Sequence, residues 1–257
     1  PPHYSESQPR PVLYMHDGQM LFDSNTTWNS QEWKVDEIIS SIEWDEDRLA
    51  PIVIGIWNNG IHRQSEYFPE KAFRRMTRED RNDFLQSSRS QGQKILSRKP
   101  YSDKYLKFLV HELKPYIDLE FATLSDRKHT YIAGSSYGGL ISVYALCEYP
   151  EVFGGVIAMS THWTGVMEHN LPVPTALIDY LDRRLPEGKN HKLYFDHGTE
   201  GLDSLYRPYQ DMVDQLCIKR SYSEGQWTRR VFQGANHSER AWSQRFGQAL
   251  LFLTRND

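Results

Sequence analysis

The segment Ala133-Gly134-Ser135-Ser136-Tyr137-Gly138-Gly139 decides the fold of this chain. It ends a short apolar run, 130–133, and opens a helical pattern, 137–149, so we expect it to form a turn from a strand into a helix. Glycines on both sides of Ser136 permit a tight turn in which larger side chains would collide with neighbouring backbone. The spacing Gly-X-Ser-X-Gly in this context predicts a serine hydroxyl exposed at the carboxyl edge of a sheet.

Outward from this turn, short apolar runs alternate with helical patterns along the whole chain. This alternation is typical of a mostly parallel sheet with helices on its faces, which is an α/β fold. The predicted strands are 12–16, 51–56, 130–133, 155–159, 193–196 and 229–232. The predicted helices are 32–42, 101–117, 137–149, 207–220 and 239–254. Residues 58–99 are polar with several arginines and predict an inserted loop or cap over the sheet. We therefore expect a single domain over 1–257.

Composition and charge exclude several kinds of partner. Hydrophobic residues make up 39% and charged residues 25%, as in an ordinary globular domain, and the net charge is −4 with both signs mixed. No basic stripe predicts nucleic-acid binding, and no apolar run approaches the length of a membrane span. The two cysteines, Cys147 and Cys217, fall in helical patterns and are predicted to be buried free thiols. Compartment and oligomeric state stay open.

A histidine must follow the serine if Ser136 is a nucleophile, because these sites run serine, acid, histidine along the chain. His237 lies after the last predicted strand and before the final helix, where a loop can return an imidazole to the sheet edge. His162 and His197 follow earlier strands and are interpreted as pocket wall or surface. Ser135 is the neighbouring alternative to Ser136, but it would occupy the wrong place in the turn.

The acid that orients the histidine is predicted within the segment 196–203. Asp203, Glu200 and Asp196 all lie in this segment, after the penultimate strand, and a carboxylate is needed to fix the imidazole tautomer. We favour Asp203 and leave the other two open, together with a Ser-His dyad. His111-Glu112 lacks the second histidine of a zinc helix, so no metal or cofactor is expected.

With these residues in place, the chain resembles the esterase D-like superfamily of α/β-hydrolases. That superfamily contains feruloyl and acetylxylan esterases, enterochelin esterases, S-formylglutathione hydrolase and mycolyltransferases. The segment 13–23, LYMHDGQMLFD, is similar to the family's HDGQNLFD segment, and 133–141 is similar to AGSSMGGLIS. Gly198-Thr199 with Asp203, and Asn236-His237-Ser238, resemble the family's acid and histidine loops. The resemblance covers nearly the whole chain and implies the α/β-hydrolase fold.

The resemblance also implies an oxyanion hole, in which the backbone N–H of Gln19 partners that of Tyr137. Tyr137 stands where the family commonly has methionine, and Met20 replaces an asparagine. The substrate of a relative therefore cannot be assigned directly to this chain. The segment Pro1-Pro2-His3-Tyr4 resembles a Leu-Pro-Pro-X-Tyr stretch that follows further strands in the family. We therefore expect the N-terminal edge strands to be missing here.

The expected function is hydrolysis of a carboxylic ester through an acyl-enzyme, on a small-molecule or carbohydrate ester. Acetyl or feruloyl esters of carbohydrates are favoured; a siderophore trilactone, acyl transfer to a sugar or lipid alcohol, and a catalytically silent binding module are the alternatives. Exposed aromatic side chains after strands or in the polar insertion are suited to stacking on such substrates. The predicted substrate-binding residues are Trp28, Glu66, Tyr67, His162 and Trp163, with Phe68, Pro69 and Tyr137 beside them.

Overall fold

The computed structural model describes residues 1, 4–46, 48–89 and 92–255, and within them a six-stranded parallel sheet forms the centre of the protein. Every neighbouring pair is parallel, in the order β2-β1-β3-β4-β5-β6. The strands are β1 (Val12–His16), β2 (Ile52–Ile56), β3 (Thr130–Ser135), β4 (Gly155–Met159), β5 (Lys192–Gly198) and β6 (Trp227–Phe232). This confirms the predicted mostly parallel α/β sheet. Pro2 and His3 of the predicted N-terminal stretch lie outside the described residues.

Helices cover both faces of the sheet. They are α1 (Val35–Ser41), α2 (Arg63–Tyr67), α3 (Glu70–Arg75), α4 (Arg78–Gln86), α5 (Ser102–Phe108), α6 (Lys114–Glu120), α7 (Tyr137–Glu148), α8 (Pro172–Arg184), α9 (Arg207–Lys219) and α10 (Glu239–Thr254). A π-helical turn, Leu109–Leu113, joins α5 to α6 with helical backbone angles on both sides, so the predicted helix 101–117 is one continuous helical run that extends further. Helix α1 begins later than predicted because Lys34 has a left-handed backbone, with φ 56°.

Four helices were not predicted individually. The polar insertion 58–99, predicted as an inserted loop or cap, contains α2, α3 and α4; Phe68 and Phe84, with ring centroids 4.9 Å apart, anchor it in the core. Helix α8 was missed altogether, since Pro172 and Pro174 in its first turn resemble a loop although proline is tolerated there. Ser90 and Gln91 of the insertion lie outside the described residues.

Side chains of the strands alternate between two hydrophobic clusters. Tyr14 and Ile132 belong to the larger cluster, and Leu13, Met15 and Ala133 to the smaller one packed under α1 and α10. Burial on both faces explains why these strands lack a polar side. Cys147 and Cys217 are buried free thiols, as predicted.

The strand order creates the crevice in which a site can form. The chain passes from β1 outward to β2 and then returns to β3 on the other side of β1. Ligands of open α/β sheets bind at the carboxyl ends of strands where the order reverses in this way. The residues after His16 and after Ser135 meet at this point. In the described ranges, no helix is both long and apolar enough to cross a membrane.

Candidate active site

Ser136 occupies a strained turn between β3 and α7. Its φ of 57° and ψ of −123° are rare for a residue with a side chain and cost about 1–3 kcal/mol. A Cβ on Gly134 would lie 2.6 Å from the backbone of Gly138, so the turn needs glycine at position 134. Ser135, by contrast, ends the strand without a positive φ. The sequence around Ser136 thus produces the tight turn that presents its side chain at the sheet edge.

His237 lies in contact with one carboxylate of the acid segment. Its Nδ1 donates to Asp203 Oδ1 over 2.6 Å, and Asp203 is fully buried. Glu200 is exposed, and Asp196 is buried against Arg245 instead. Among the three carboxylates that the sequence left open, Asp203 is therefore the one that can orient His237.

The loops that carry this acid and this histidine are joined through their backbones. The N–H groups of Thr199 and Glu200 both donate to the carbonyl of Ala235 at 3.0 Å. A Cβ on Gly198 would lie 2.1 Å from that same carbonyl, so the close approach requires glycine. The loop contacts thereby place Asp203 and His237 within hydrogen-bonding distance.

A buried network holds the second oxygen of Asp203. Asp203 Oδ2 accepts from the Ser160 hydroxyl and from the Gly198 N–H, each at 2.6 Å. Ser160 Oγ in turn accepts from Trp242 Nε1 at 2.9 Å and from Arg245 Nη2 at 2.7 Å. Burial tends to raise the pKa of Asp203. The hydrogen bond and the charge of His237, together with the hydrogen bonds from Ser160 and Gly198, outweigh burial and hold this pKa below its ordinary value. Asp203 is thus an anion that can stabilise a histidine cation.

Asp196 lies in the same buried region but has a different environment. Arg245 Nη2 lies 3.1 Å from Asp196 Oδ1, yet neither Asp196 oxygen has a hydrogen-bond partner in the part of the chain that the structure describes. Burial is the main cause that raises the pKa of Asp196 to about 7, and the charge of Asp203 adds to it, while Arg245 opposes it. The carboxyl of Asp196 is therefore protonated in the folded protein below neutral pH.

This raised pKa predicts how stability depends on pH. Between the ordinary value of 3.8 and about 7, the folded protein holds a proton on Asp196 that the unfolded chain releases, so stability falls as pH rises through this window. The Asp196→Asn variant does not titrate here. The free energy of unfolding of the variant minus that of wild type should therefore increase from pH 4 to pH 7.5, by on the order of 3 kcal/mol. Urea unfolding at several pH values measures this difference.

Glu200→Gln, on the exposed part of the same segment, is the matched control for this prediction and should follow wild type at every pH. A difference between Asp196→Asn and wild type that does not change with pH, or that changes in the opposite direction, would show that Asp196 is ionised throughout.

A cavity of about 1020 Å³ connects these groups. Ser136, Tyr137 and His237 line it. Among the described residues, neither the Ser136 hydroxyl nor His237 Nε2 has a hydrogen-bond partner, so both are free to meet a substrate. The hydrogen bond between a catalytic serine and its histidine often forms or tightens only when substrate binds.

The two residues predicted to form an oxyanion hole also line this cavity. Tyr137 is the first residue of α7, and Gln19 lies in the single helical turn Gly18–Met20 after β1. Backbone N–H groups in the first turn of a helix lack partners within that helix and can therefore bind a negative charge. A Cβ on Gly18 would lie 2.5 Å from the backbone of Gly55, so this turn packs directly against β2.

The predicted substrate-binding residues divide into two groups. Trp28 lines the cavity and is 84% exposed, and His162 lines it as a buried wall whose Nδ1 shares a hydrogen bond with the Tyr206 hydroxyl at 2.7 Å. Burial and the charge of His237 lower the pKa of His162 well below its usual range, so His162 is neutral.

The other three predicted substrate-binding residues lie elsewhere, and this part of the prediction is corrected. Tyr67 is fully buried with its ring 5.1 Å from that of His16, and Trp163 is buried with its Nε1 donating to Gln210 at 3.0 Å. Both aromatics belong to the core because the helices around them cover their rings. Glu66 is half-buried outside the cavity lining and accepts from the Asn59 N–H at 3.3 Å.

Several cavity residues in or directly before the insertion were not predicted from the sequence. Trp57 is 71% exposed at the mouth, and Arg63 forms a two-pronged ion pair with Asp17 through contacts of 2.6 Å each. Asn58 also donates to Asp17 at 2.7 Å. The arginines of the polar insertion were the available signal, but only the folded chain brings them beside the turn after β1.

The sheet order and the strained serine between β3 and α7 define an α/β-hydrolase. The chain belongs to the family described as "Putative esterase", whose sequence profile matches residues 1–253. The prediction of a serine esterase, a hydrolase of carboxylic esters, is confirmed at the level of this family. The resemblance to the esterase superfamily is likewise confirmed.

Three known proteins illustrate the relationship. An endo-1,4-beta-xylanase/feruloyl esterase of Xylanibacter ruminicola is 26% identical over 125 residues, which cover 46% of this chain and 17% of that protein. The structure of a ferulic acid esterase matches with a TM-score of 0.63 at 19% identity, covering 97% of this chain and 86% of that one. The enterobactin esterase FES from Shigella flexneri matches with a TM-score of 0.64 at 16% identity, covering 95% and 52%. The chain thus spans about half of this esterase.

Proposed function

We propose that this chain hydrolyses carboxylic esters with Ser136 as nucleophile, His237 as general base and Asp203 as the orienting acid. The observation that carries the proposal is the 2.6 Å contact between His237 and buried Asp203, beside a strained Ser136 that lines the same cavity. A histidine oriented in this way can accept the serine proton during attack and return it to the leaving group.

The reaction proceeds in two halves. Ser136 Oγ attacks the ester carbonyl as His237 Nε2 takes its proton, and the backbone N–H groups of Gln19 and Tyr137 stabilise the oxyanion. Collapse breaks the bond to the alcohol, which leaves with the proton from His237. Water then attacks the acyl-enzyme as His237 takes its proton; the bond between the acyl group and Ser136 Oγ breaks, His237 returns the proton to Ser136, and the acid is released. Asp203 stabilises the histidine cation in both halves.

The shape and lining of the cavity support a bulky ester as substrate. A volume of about 1020 Å³ exceeds what an acetyl group with a small alcohol needs. Trp28 and Trp57 stand exposed at its mouth, where indole rings can stack on a sugar or an aromatic acyl group. Feruloyl or acetyl esters of carbohydrates meet these requirements, and two of the similar proteins bear feruloyl or ferulic acid esterase in their names.

A substrate panel and an active-site probe test this function together. We expect a fluorophosphonate to label wild type on the peptide that contains Ser136. We also expect turnover of methyl ferulate to exceed that of p-nitrophenyl acetate, with acetylated xylan and a catecholate trilactone as competing substrates. Absence of both labelling and turnover would contradict the proposed esterase function. A preference for the trilactone would show that a siderophore ester, and not a carbohydrate ester, is the substrate.

Removal of an indole from the cavity mouth should affect large substrates selectively. Trp57→Ala is expected to lower kcat/KM for methyl ferulate about 10-fold, because a stacked aromatic contact is lost, while p-nitrophenyl acetate changes little. Steady-state kinetics on both esters measure the ratio. Tyr116→Ala removes an exposed ring that lies on α6 and should leave both rates unchanged. Equal losses on both esters would argue against a stacking role.

A further inference from the structure

Among the described residues, four charged side chains other than histidines line the cavity, and three of them have partners within the protein. Arg63 and Asp17 neutralise each other in their two-pronged ion pair. Glu239 accepts from Asn29 Nδ2 at 2.9 Å and begins α10, where the helix N-terminus favours a negative charge. Arg89 is the fourth.

Arg89 has no such partner. In the described ranges, its guanidinium contacts neither a carboxylate nor a side-chain or backbone acceptor, and its Nε is shielded from solvent without a hydrogen bond. An arginine remains charged under all ordinary conditions, so this is an uncompensated cation in a partly desolvated place. Other described arginines of the insertion, such as Arg74, Arg75 and Arg81, bind a carboxylate or backbone carbonyls.

The surroundings of Arg89 oppose its charge. Burial lowers the pKa of Arg89, and the cation of Arg63 lowers it further, while the Tyr137 phenol opposes this shift. Arg89, Arg63 and Tyr137 thus line the same wall of the cavity. Tyr137 directly follows the proposed nucleophile, and its hydroxyl donates to the Gly165 carbonyl at 2.7 Å. A negatively charged ligand at this wall would relieve the cost of burying the cation.

We propose that Arg89 binds a carboxylate on the substrate, so that the preferred ester carries an anionic group in its acyl or its alcohol half. A carboxylate is favoured because a guanidinium presents a planar fork that matches two carboxylate oxygens. A single charge is favoured because the other cation of this wall, Arg63, is already neutralised by Asp17. This inference rests on the proposed esterase function and specifies its substrate class.

Matched pairs of esters that differ only in charge test the inference. On the acyl side, mono(4-nitrophenyl) terephthalate is compared with its methyl ester; on the alcohol side, 4-acetoxybenzoate is compared with its methyl ester. We expect wild type at low salt to prefer the anion of at least one pair in kcat/KM. Arg89→Gln should lower the rate on that anion roughly 10- to 100-fold, as for loss of a charge-assisted hydrogen bond, and the neutral partner less than about 3-fold.

Arg78→Gln is the control, because Arg78 is an exposed arginine at the start of α4 and should change neither rate. No preference for either anion in wild type would overturn the inference, as would an equal loss on charged and neutral esters in Arg89→Gln. Hydrolysis of the neutral esters by wild type tests the esterase function separately, so a missing charge preference alone overturns only the role of Arg89.

Discussion

Ser136→Ala is expected to lower kcat by about 10⁴- to 10⁶-fold on every ester that wild type hydrolyses. The variant keeps the cavity and the His237–Asp203 pair but has no oxygen that can attack the carbonyl. Since the proposed route forms an acyl-enzyme, no side chain can replace the hydroxyl. Hydrolysis of methyl ferulate or p-nitrophenyl acetate at fixed pH measures the loss, and the fluorophosphonate probe should no longer label the protein.

Ser135→Ala is the matched control for this loss. Ser135 is the adjacent serine, buried at the end of β3, and should retain activity within about 10-fold because its side chain does not occupy the strained turn. Turnover that persists in Ser136→Ala but disappears in Ser135→Ala would reverse the assignment. Persistent turnover in both variants would mean that the nucleophile lies elsewhere.

Asp203→Asn is expected to lower kcat by about 10³- to 10⁴-fold. The amide has the shape of the carboxylate but can donate a hydrogen to His237 Nδ1, which selects the wrong tautomer and leaves the histidine cation without its counter-charge. Because Asp203 is fully buried and binds Ser160 and Gly198 as well, urea unfolding must accompany the kinetics. A folded variant with low kcat and little change in KM would support the role.

Glu200→Gln separates this role from the general charge of the segment. Glu200 is exposed and begins the same short helical turn that carries Asp203, so its loss should change kcat less than about 3-fold. If Glu200→Gln were inactive while Asp203→Asn kept wild-type rates, the acid would be Glu200 after a loop movement. Comparable activity in both variants would favour a Ser-His dyad.

The strands were predicted closely because each is an apolar run buried on both faces. Strands 12–16 and 155–159 have the predicted bounds, while β5 and β6 are longer than predicted. Edge strand β6 is half-exposed along its whole length, so burial does not mark its bounds in the sequence. Helix α4 buries only Phe84 among its nine residues, which explains why no helix was predicted within the insertion.

The candidate site was predicted only in part, because local spacing identifies some of its residues and not others. Ser136 and His237 follow from local spacing and from their order along the chain. Trp28 was selected because it follows a strand, and it lines the cavity. The same selection failed for Tyr67 and Trp163, whose rings are buried because exposure depends on which helices cover a ring. Arg89 lies among the arginines of the polar insertion, but nothing in its spacing distinguished it from the other arginines there.

The sequence by itself determined the parallel α/β sheet, the strained turn at Ser136 and the family of the chain, because these depend on local turn chemistry and on periodic burial. The tertiary structure alone decided which of three carboxylates faces His237 and which charged side chains of the insertion border the cavity. The sequence favoured Asp203 but left Asp196 and Glu200 open. Contacts between distant segments separate these carboxylates: the loop that carries Asp203 binds the Ala235 carbonyl beside His237, whereas Asp196 lies against Arg245. Such contacts have no local periodicity that a sequence could display.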